Sequence, residues 1–189
     1  MKKQLILAST SPRRKELLEK AGVRFVVARN NYEEDMTLDL PPLELVKFLS
    51  HGKAEAVQNE YPHAIIIAAD TIVVWGKYIL GKPHTPGRAR EMLQMLSGTE
   101  HSIFTGFTVL DTDTVKKISR AVETKVWFRD LTRQEIDEYI STGEPLDKAG
   151  AYAIQMGGAS FVESIEGDFS NAIGLPVNDI IEMLKEFDA

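Results

Sequence analysis

An α/β fold with a central sheet of mixed strand direction is predicted by three features of this 189-residue chain. A short apolar strand pattern at residues 4–8 runs through a serine-rich turn into a helix start at Ser11-Pro12. An unbroken apolar run at 64–69 suits a strand covered on both faces. Two long strand patterns, 103–110 and 115–128, flank the polar turn 111–114 and should pair antiparallel. Helices flanking such a sheet complete the architecture. The length suffices for one well-buried domain, or for one domain with two lobes around a cleft.

The elements follow in order. Serine at the N-cap and proline at the first helical position open the first helix, Leu17, Leu18 and Ala21 give it an apolar face, and Gly22 stops it. Residues 24–28 read as a second strand. Residues 41–58 read as a helix with Leu45, Phe48, Leu49 and Ala56 inward, weakened at Gly52 by up to ~1 kcal/mol. After the run at 64–69, residues 72–75 and 78–80 read as a hairpin around Gly76-Lys77. Thr85-Pro86 opens a helix that closes at Gly98, and Thr132 with Glu135 forms a capping box for a helix to Thr142. Residues 143–175 are glycine-rich and irregular, with strand-like stretches at 152–155 and 160–165. A last helix begins at Pro176.

Composition removes several function classes. With no cysteine there is no disulfide framework, thiolate zinc site or cysteine nucleophile, which fits a cytoplasmic location. The apolar run after Met1-Lys2-Lys3 is too short for a secretory signal, and no stretch approaches the ~20 apolar residues of a membrane span. A net charge of −6 argues against binding a nucleic acid polymer, though not against a local basic pocket for a small anion.

Such a pocket is predicted at residues 9–15. The first turn of a helix carries about +0.5 charge on its unpaired N–H groups, so acids belong there. This helix places Arg13, Arg14 and Lys15 there instead. An anion held by backbone N–H groups, the Ser9 or Ser11 hydroxyls and the guanidinium forks would account for that. The turn also lies beyond the carboxyl end of a strand, where open α/β sheets place ligands. No Gly-x-x-x-x-Gly-Lys-Ser/Thr or Gly-x-Gly-x-x-Gly motif occurs.

A second pointer is Asp70, delivered at the end of the apolar run. A partly buried carboxylate there needs a cation, a metal or a hydrogen-bond network, and it could ligate magnesium or take a proton from water. Glu33-Glu34-Asp35 could offer oxygen ligands to the same hard cation. Lys82 follows the hairpin and could reach phosphate, and Asp147-Lys148 amid small residues suggests a tight packed loop.

Together these segments resemble the Maf family of nucleoside-triphosphate pyrophosphatases. The matching pieces are Leu7-Ala8-Ser9-x-Ser11-Pro12-Arg13-Arg14, Glu33-Glu34, Lys53-Ala54, Ala69-Asp70-Thr71, Gly81-Lys82-Pro83, Leu96-Ser97-Gly98, Glu144 through Tyr152, and Gly167-Asp168 with Gly174-Leu175-Pro176. They stand in family order across nearly the whole chain, read as one domain over 1–189. The resemblance implies hydrolysis between the α and β phosphates, giving a monophosphate and pyrophosphate, with Mg²⁺ or Mn²⁺. It implies the two-lobed fold shared with inosine-triphosphate pyrophosphatases, and a homodimer. By the same resemblance Asp70 is the proton acceptor and a metal ligand, and Glu34 helps hold the metal. Ser9, Arg14, Lys53 and Lys82 bind phosphates. Arg13, Thr71 and Gln155 stand where the dTTP/UTP branch has its selectivity residues. Gln155 offers a base edge both a donor and an acceptor. Ala153 and Met156 replace the glycines that usually flank this glutamine.

Other readings make distinguishable predictions. A 7-methyl-GTP pyrophosphatase would differ only in base preference. A nucleotide-sensing regulator of cell division would bind without turnover. A haloacid-dehalogenase-type phosphatase is suggested by Asp111-Thr112-Asp113-Thr114, but a hairpin turn explains those residues better, and Gly167-Asp168-Phe169-Ser170-Asn171 lacks the second aspartate.

Overall fold

The computed structural model describes residues 3–33, 35 and 38–187. Strands β1 (Gln4–Leu7), β2 (Val26–Val27), β3 (Ala64–Trp75), β4 (Tyr78–Leu80), β5 (Glu100–Asp111), β6 (Lys117–Phe128) and β7 (Val162–Glu166) form one sheet ordered β2-β1-β3-β5-β6-β7, with β4 paired to β3. β1 pairs parallel with both β2 and β3, whereas β3–β4 and β6–β7 are antiparallel, so the sheet is mixed as predicted. The helices are α1 (Pro12–Lys20), α2 (Pro42–Glu55), α3 (Pro86–Leu96), α4 (Arg133–Ser141), α5 (Phe169–Ile173) and α6 (Val177–Leu184). Among the described residues no helix is long and apolar enough to cross a membrane.

The chain divides into two compact units. The first takes the chain up to Asp70, residues 105–122, and the chain from Gly174 onward; the second takes Thr71–Phe104 and Glu123–Ile173. Each has its own core. In the first unit β3 is buried on both faces: Ile65, Ile67 and Ala69 pack with Leu18 of α1 and Ile180 and Met183 of α6, while Ala64, Ile66 and Ala68 pack with Ala54 of α2. The period-2 geometry of a strand sends alternate residues to opposite faces, which is why the apolar run is continuous. In the second unit α3 and α4 pack with Val73, Ile103, Val126, Phe128 and Phe161.

Local chemistry sets the ends of the predicted helices. Gly22, at φ +73°, lets α1 close in a Schellman motif: the Val23 N–H donates to Leu18 O (3.1 Å) and the Gly22 N–H to Glu19 O (3.0 Å). Thr85 caps α3 by accepting from the Arg88 N–H, and the Thr132–Glu135 capping box is present on α4.

Several expectations require correction. Residues 72–75 do not begin a separate hairpin strand; β3 runs unbroken through Asp70 and Thr71, so Asp70 lies inside a strand rather than at its end. The second strand pairs only at Val26–Val27, because it is the edge of the sheet and bonds β1 over two residues before Ala28 turns its N–H to Leu7 O. In α2, Leu45 and Leu49 are buried as expected, but Phe48 is 46% exposed and Ala56 also faces out; Val46, Ser50, Lys53 and Ala54 complete the buried face in their place. Gly106 sets that rotation: a Cβ on this β5 residue would fall inside the Val46 carbonyl, so its absence lets the helix backbone sit against the strand. Two polar residues of the buried face have buried partners, Ser50 with Thr108 (2.9 Å) and Lys53 with Asp70. Residues 152–155 form no strand, since the Ala153 N–H is taken by the Tyr139 hydroxyl (3.1 Å) and a turn follows at once. The short helix α5 was not predicted; its start is marked by Asp168, whose carboxylate accepts from the Ser170 N–H (2.6 Å).

Candidate active site

The first unit brings the basic turn and the buried carboxylate to one end of the sheet. β1 and β3 run parallel in the register Leu7↔Ile67, and the Ala8 N–H donates to Ile67 O (2.8 Å). Carried on two residues, that register sets Ser9 level with Ala69, beside Asp70, at the ~4.8 Å spacing of neighbouring strands.

In the turn, Ser9 is buried and its Oγ accepts from the Ser11 N–H (3.3 Å) and from Arg14 Nη1 (3.3 Å). With both lone pairs engaged, the hydroxyl proton is what Ser9 has to donate. Arg14 Nε donates to Gly174 O (2.8 Å), so this guanidinium also braces the turn against the segment leading into α6. Ser11 makes no side-chain cap hydrogen bond, and the first turn of α1 contains no acid. A helix start left positive by its backbone and its side chains favours an anion. Arg13, half-buried, stands in the same turn.

Behind the turn, the Lys53 ammonium of α2 donates to Asp70 Oδ1, and both side chains are almost completely buried. Two charges removed from water persist only when they satisfy each other, and removing one partner of such a pair typically costs ~3–5 kcal/mol. The helical pattern could not reveal this pair, because it requires a lysine on the apolar face of α2.

The acidic loop is anchored at the same end of the sheet. Asn30 Nδ2 donates to Ala8 O (2.6 Å), and the Tyr32 ring fills the space where a Cβ on Gly52 would stand. Gly52 therefore does more than weaken α2: it seats Tyr32 one residue from Lys53. Neither Asn30 nor Tyr32 was singled out in the sequence; a glycine in mid-helix was the available signal. Glu34, the expected metal ligand, lies outside the described residues. Among those residues there is no group of three His, Asp or Glu side chains able to hold a metal.

Thr71, Lys82 and Gln155 belong to the second unit. Thr71 follows Asp70 in β3, while Lys82 and Gln155 are exposed. Gln155 is presented by a braced turn. The Tyr139 hydroxyl donates to Glu144 Oε1 (2.6 Å) and accepts from the Ala153 N–H, and the Tyr152 hydroxyl meets His101 Nε2 at 2.7 Å. Burial, with help from Glu144, pushes the Tyr139 phenol well above its usual range. Burial also pushes His101 down to about 4, so the imidazole is neutral at pH 7. Sequence reasoning missed this aromatic support, because its members lie far apart in the chain. Lys148 pairs with Asp147, as that dipeptide suggested.

Asp111 ends β5, and Thr112–Thr114 form the turn after it, with the Thr112 N–H donating to Ala64 O (3.0 Å). Lys3 Nζ bonds both Asp111 oxygens (2.6 and 2.7 Å), and Asp111 in turn accepts from the Asp113 N–H and the Thr114 hydroxyl (3.0 Å each). Burial opposes the charge on Asp111, but Lys3 and these donors hold the carboxyl below its usual range. A carboxylate so committed is a poor phosphoryl acceptor.

Relatives resemble this chain over nearly its whole length. A dTTP/UTP pyrophosphatase of Geobacillus sp. (strain WCH70) is 48% identical over 183 residues, covering 97% of each chain. One from Methanosarcina mazei is 46% identical over 185 residues, covering 97% of this chain and 94% of its own. One from Syntrophus aciditrophicus is 43% identical over 183 residues, covering 97% and 89%. A solved dITP/XTP pyrophosphatase of Mycobacterium abscessus is a weak likeness, with 12% identity and a TM-score of 0.42 over 66% of this chain and 72% of its own. The model of the Maf-like protein family matches residues 4–187, and the chain belongs to that family.

Proposed function

We propose that this protein hydrolyses nucleoside triphosphates, dTTP and UTP above all, between the α and β phosphates to give the monophosphate and pyrophosphate. The observation that carries the reading is the buried Lys53–Asp70 pair set beside a basic, acid-free helix start. The similarity to dTTP/UTP pyrophosphatases supports the choice of substrate.

With Oδ1 held by Lys53, Oδ2 is the Asp70 atom that takes the proton of the attacking water. Lys53 fixes the carboxylate and adds positive charge where the phosphates lie. The Ser9 hydroxyl, the Arg14 guanidinium and the α1 N-terminus bind phosphate oxygens, and Lys82 adds a further cation. Because phosphoryl transfer depends mainly on positioning and charge stabilisation, a rigid turn braced through Gly174 suits the task.

The carboxylates of Asp70 and Glu34 are hard oxygen donors of the kind Mg²⁺ and Mn²⁺ accept, and Mg²⁺ needs only one or two of them beside substrate phosphates. When bound, such an ion supplies charge neutralisation on the phosphate oxygens. Arg13, Thr71 and Gln155 choose the base. The reaction serves nucleotide-pool cleansing in the cytoplasm, in one functional domain over residues 1–189 that forms a homodimer. Light scattering of the purified protein tests the dimer.

A pyrophosphate-release screen over natural and modified triphosphates, with Mg²⁺ and with Mn²⁺, tests the activity. The highest kcat/KM is expected for dTTP and UTP. A preference for 7-methyl-GTP would move the protein to the other branch. Tight dTTP binding without turnover under either metal would favour the sensing regulator.

A further inference from the structure

A cavity of about 750 Å³ in the first unit is lined by none of the described candidate site residues. Leu5, Phe25, Ile181 and Leu184 give it an apolar lining, and Lys3, Arg24 and Lys185 share that lining with no acidic residue among the described ones. Its volume falls in the ~300–1,000 Å³ range of small-molecule sites.

The three cations differ. Lys3 is neutralised by Asp111 and Asp113 (2.6 and 3.0 Å). The side chains of Arg24 and Lys185 have neither an ion pair nor a hydrogen bond among the described residues. In a chain with 28 acids against 22 lysines and arginines, these two cations on one apolar cavity form a local charge excess that no carboxylate among the described residues answers. The lining elements also reach the candidate active site at their other ends. β1 leads from Leu5 to Ser9, α1 from Ala21 at the cavity back to the Arg14 turn, and α6 from Ile181 and Leu184 back toward Gly174.

We propose that this cavity is a second binding site, for a small amphipathic anion whose apolar body packs on Leu5, Phe25 and Ile181 and whose acid group pairs with Arg24 and Lys185. The site is independent of the catalytic chemistry.

Calorimetric titration of the full chain with octanoate, and with octanol as the uncharged control, tests it. Octanoate should bind saturably and at least tenfold tighter than octanol. In Arg24→Gln/Lys185→Gln that margin should vanish while octanol binding and the pyrophosphate-release rate stay as in wild type. Arg24→Glu/Lys185→Glu should prefer octylamine. Absence of saturable octanoate binding to the wild type, or an unchanged octanoate affinity in both double variants, would overturn the proposal. Thermal unfolding of each variant shows whether the fold is intact, and because the readout is binding, loss of the proposed enzymatic activity leaves the result interpretable.

Discussion

Asp70 and Lys53 form one buried ion pair, and the proposed mechanism uses the two together. As a general base Asp70 should contribute ~10²–10⁴-fold to the rate, so Asp70→Asn should lower kcat by that factor while dTTP still binds; wild-type turnover in that variant would remove Asp70 from the mechanism. Arg13 and Arg14 stand side by side in the chain with different surroundings. Arg14 is locked to Gly174 O and Ser9 Oγ, and Arg13 is the residue assigned to base choice. Arg14→Gln should therefore weaken all triphosphates alike, whereas Arg13→Gln should chiefly alter the dTTP-to-CTP ratio in kcat/KM. Identical defects would mean that the roles are wrongly divided. At this scale the basic turn was legible from residue type and position, and Asp70 from its place after the apolar run, although it lies inside β3 and not at a strand end. The Lys53–Asp70 contact was not, because two elements must pack before a lysine on an apolar helix face acquires a reason to be there.

At the scale of elements, glycines decide where α2 sits. Gly106 admits the Val46 carbonyl, and Gly52 admits the Tyr32 ring. Gly106→Ala must push a helix backbone off a strand, so a loss of about 3 kcal/mol is expected, the upper end of ordinary overpacking. Gly87→Ala is the control, since a Cβ there meets nothing within 4 Å, and it should stabilise α3 by about 0.4–1 kcal/mol. Urea unfolding of the two variants measures both. The helix and strand identities of α1, α3, α4 and β3 followed from caps and periodicity. The rotation of α2 did not, because Phe48 is the more apolar residue and only Gly106 explains why Val46 turns inward in its place. Likewise 152–155 carries a strand-like pattern, and the Tyr139 hydroxyl overrides it by taking the Ala153 N–H.

For the whole molecule, the acid limit of stability should depend on His101. Its imidazole is buried, bonded to the Tyr152 hydroxyl, and stacked edge-on to Phe128 (centroids 4.9 Å apart). Burial depresses its folded pKa to about 4 from 6.5. The unfolded chain therefore binds a proton that the folded chain refuses. The contribution of His101 is complete above pH 6.5, falls as pH drops toward 4, and is constant below; the shift corresponds to roughly 3 kcal/mol. His101→Gln should flatten the profile between pH 6.5 and 4. An unchanged slope would assign the acid limit to other groups. Glu135, held down to about 2 from 4.5 by Arg129 and the Thr132 donors, loses its contribution between about pH 4.5 and 2, so it overlaps only the acid end of that window. That the sheet is mixed was legible, though β3 proved continuous and 152–155 form no strand; length left one domain or two lobes open, and the family resemblance implied the two lobes. That β3, β5 and β6 each pass from one unit to the other follows from long-range pairing, which no local pattern records.

The central claim is cleavage between the α and β phosphates at a site built on Asp70, and product analysis with dTTP tests it most directly. Separation of products by ion-exchange chromatography should show dTMP and pyrophosphate in equal amounts, with no dTDP at any time. Accumulation of dTDP with orthophosphate would contradict the account, because it would place the attack at the γ phosphate.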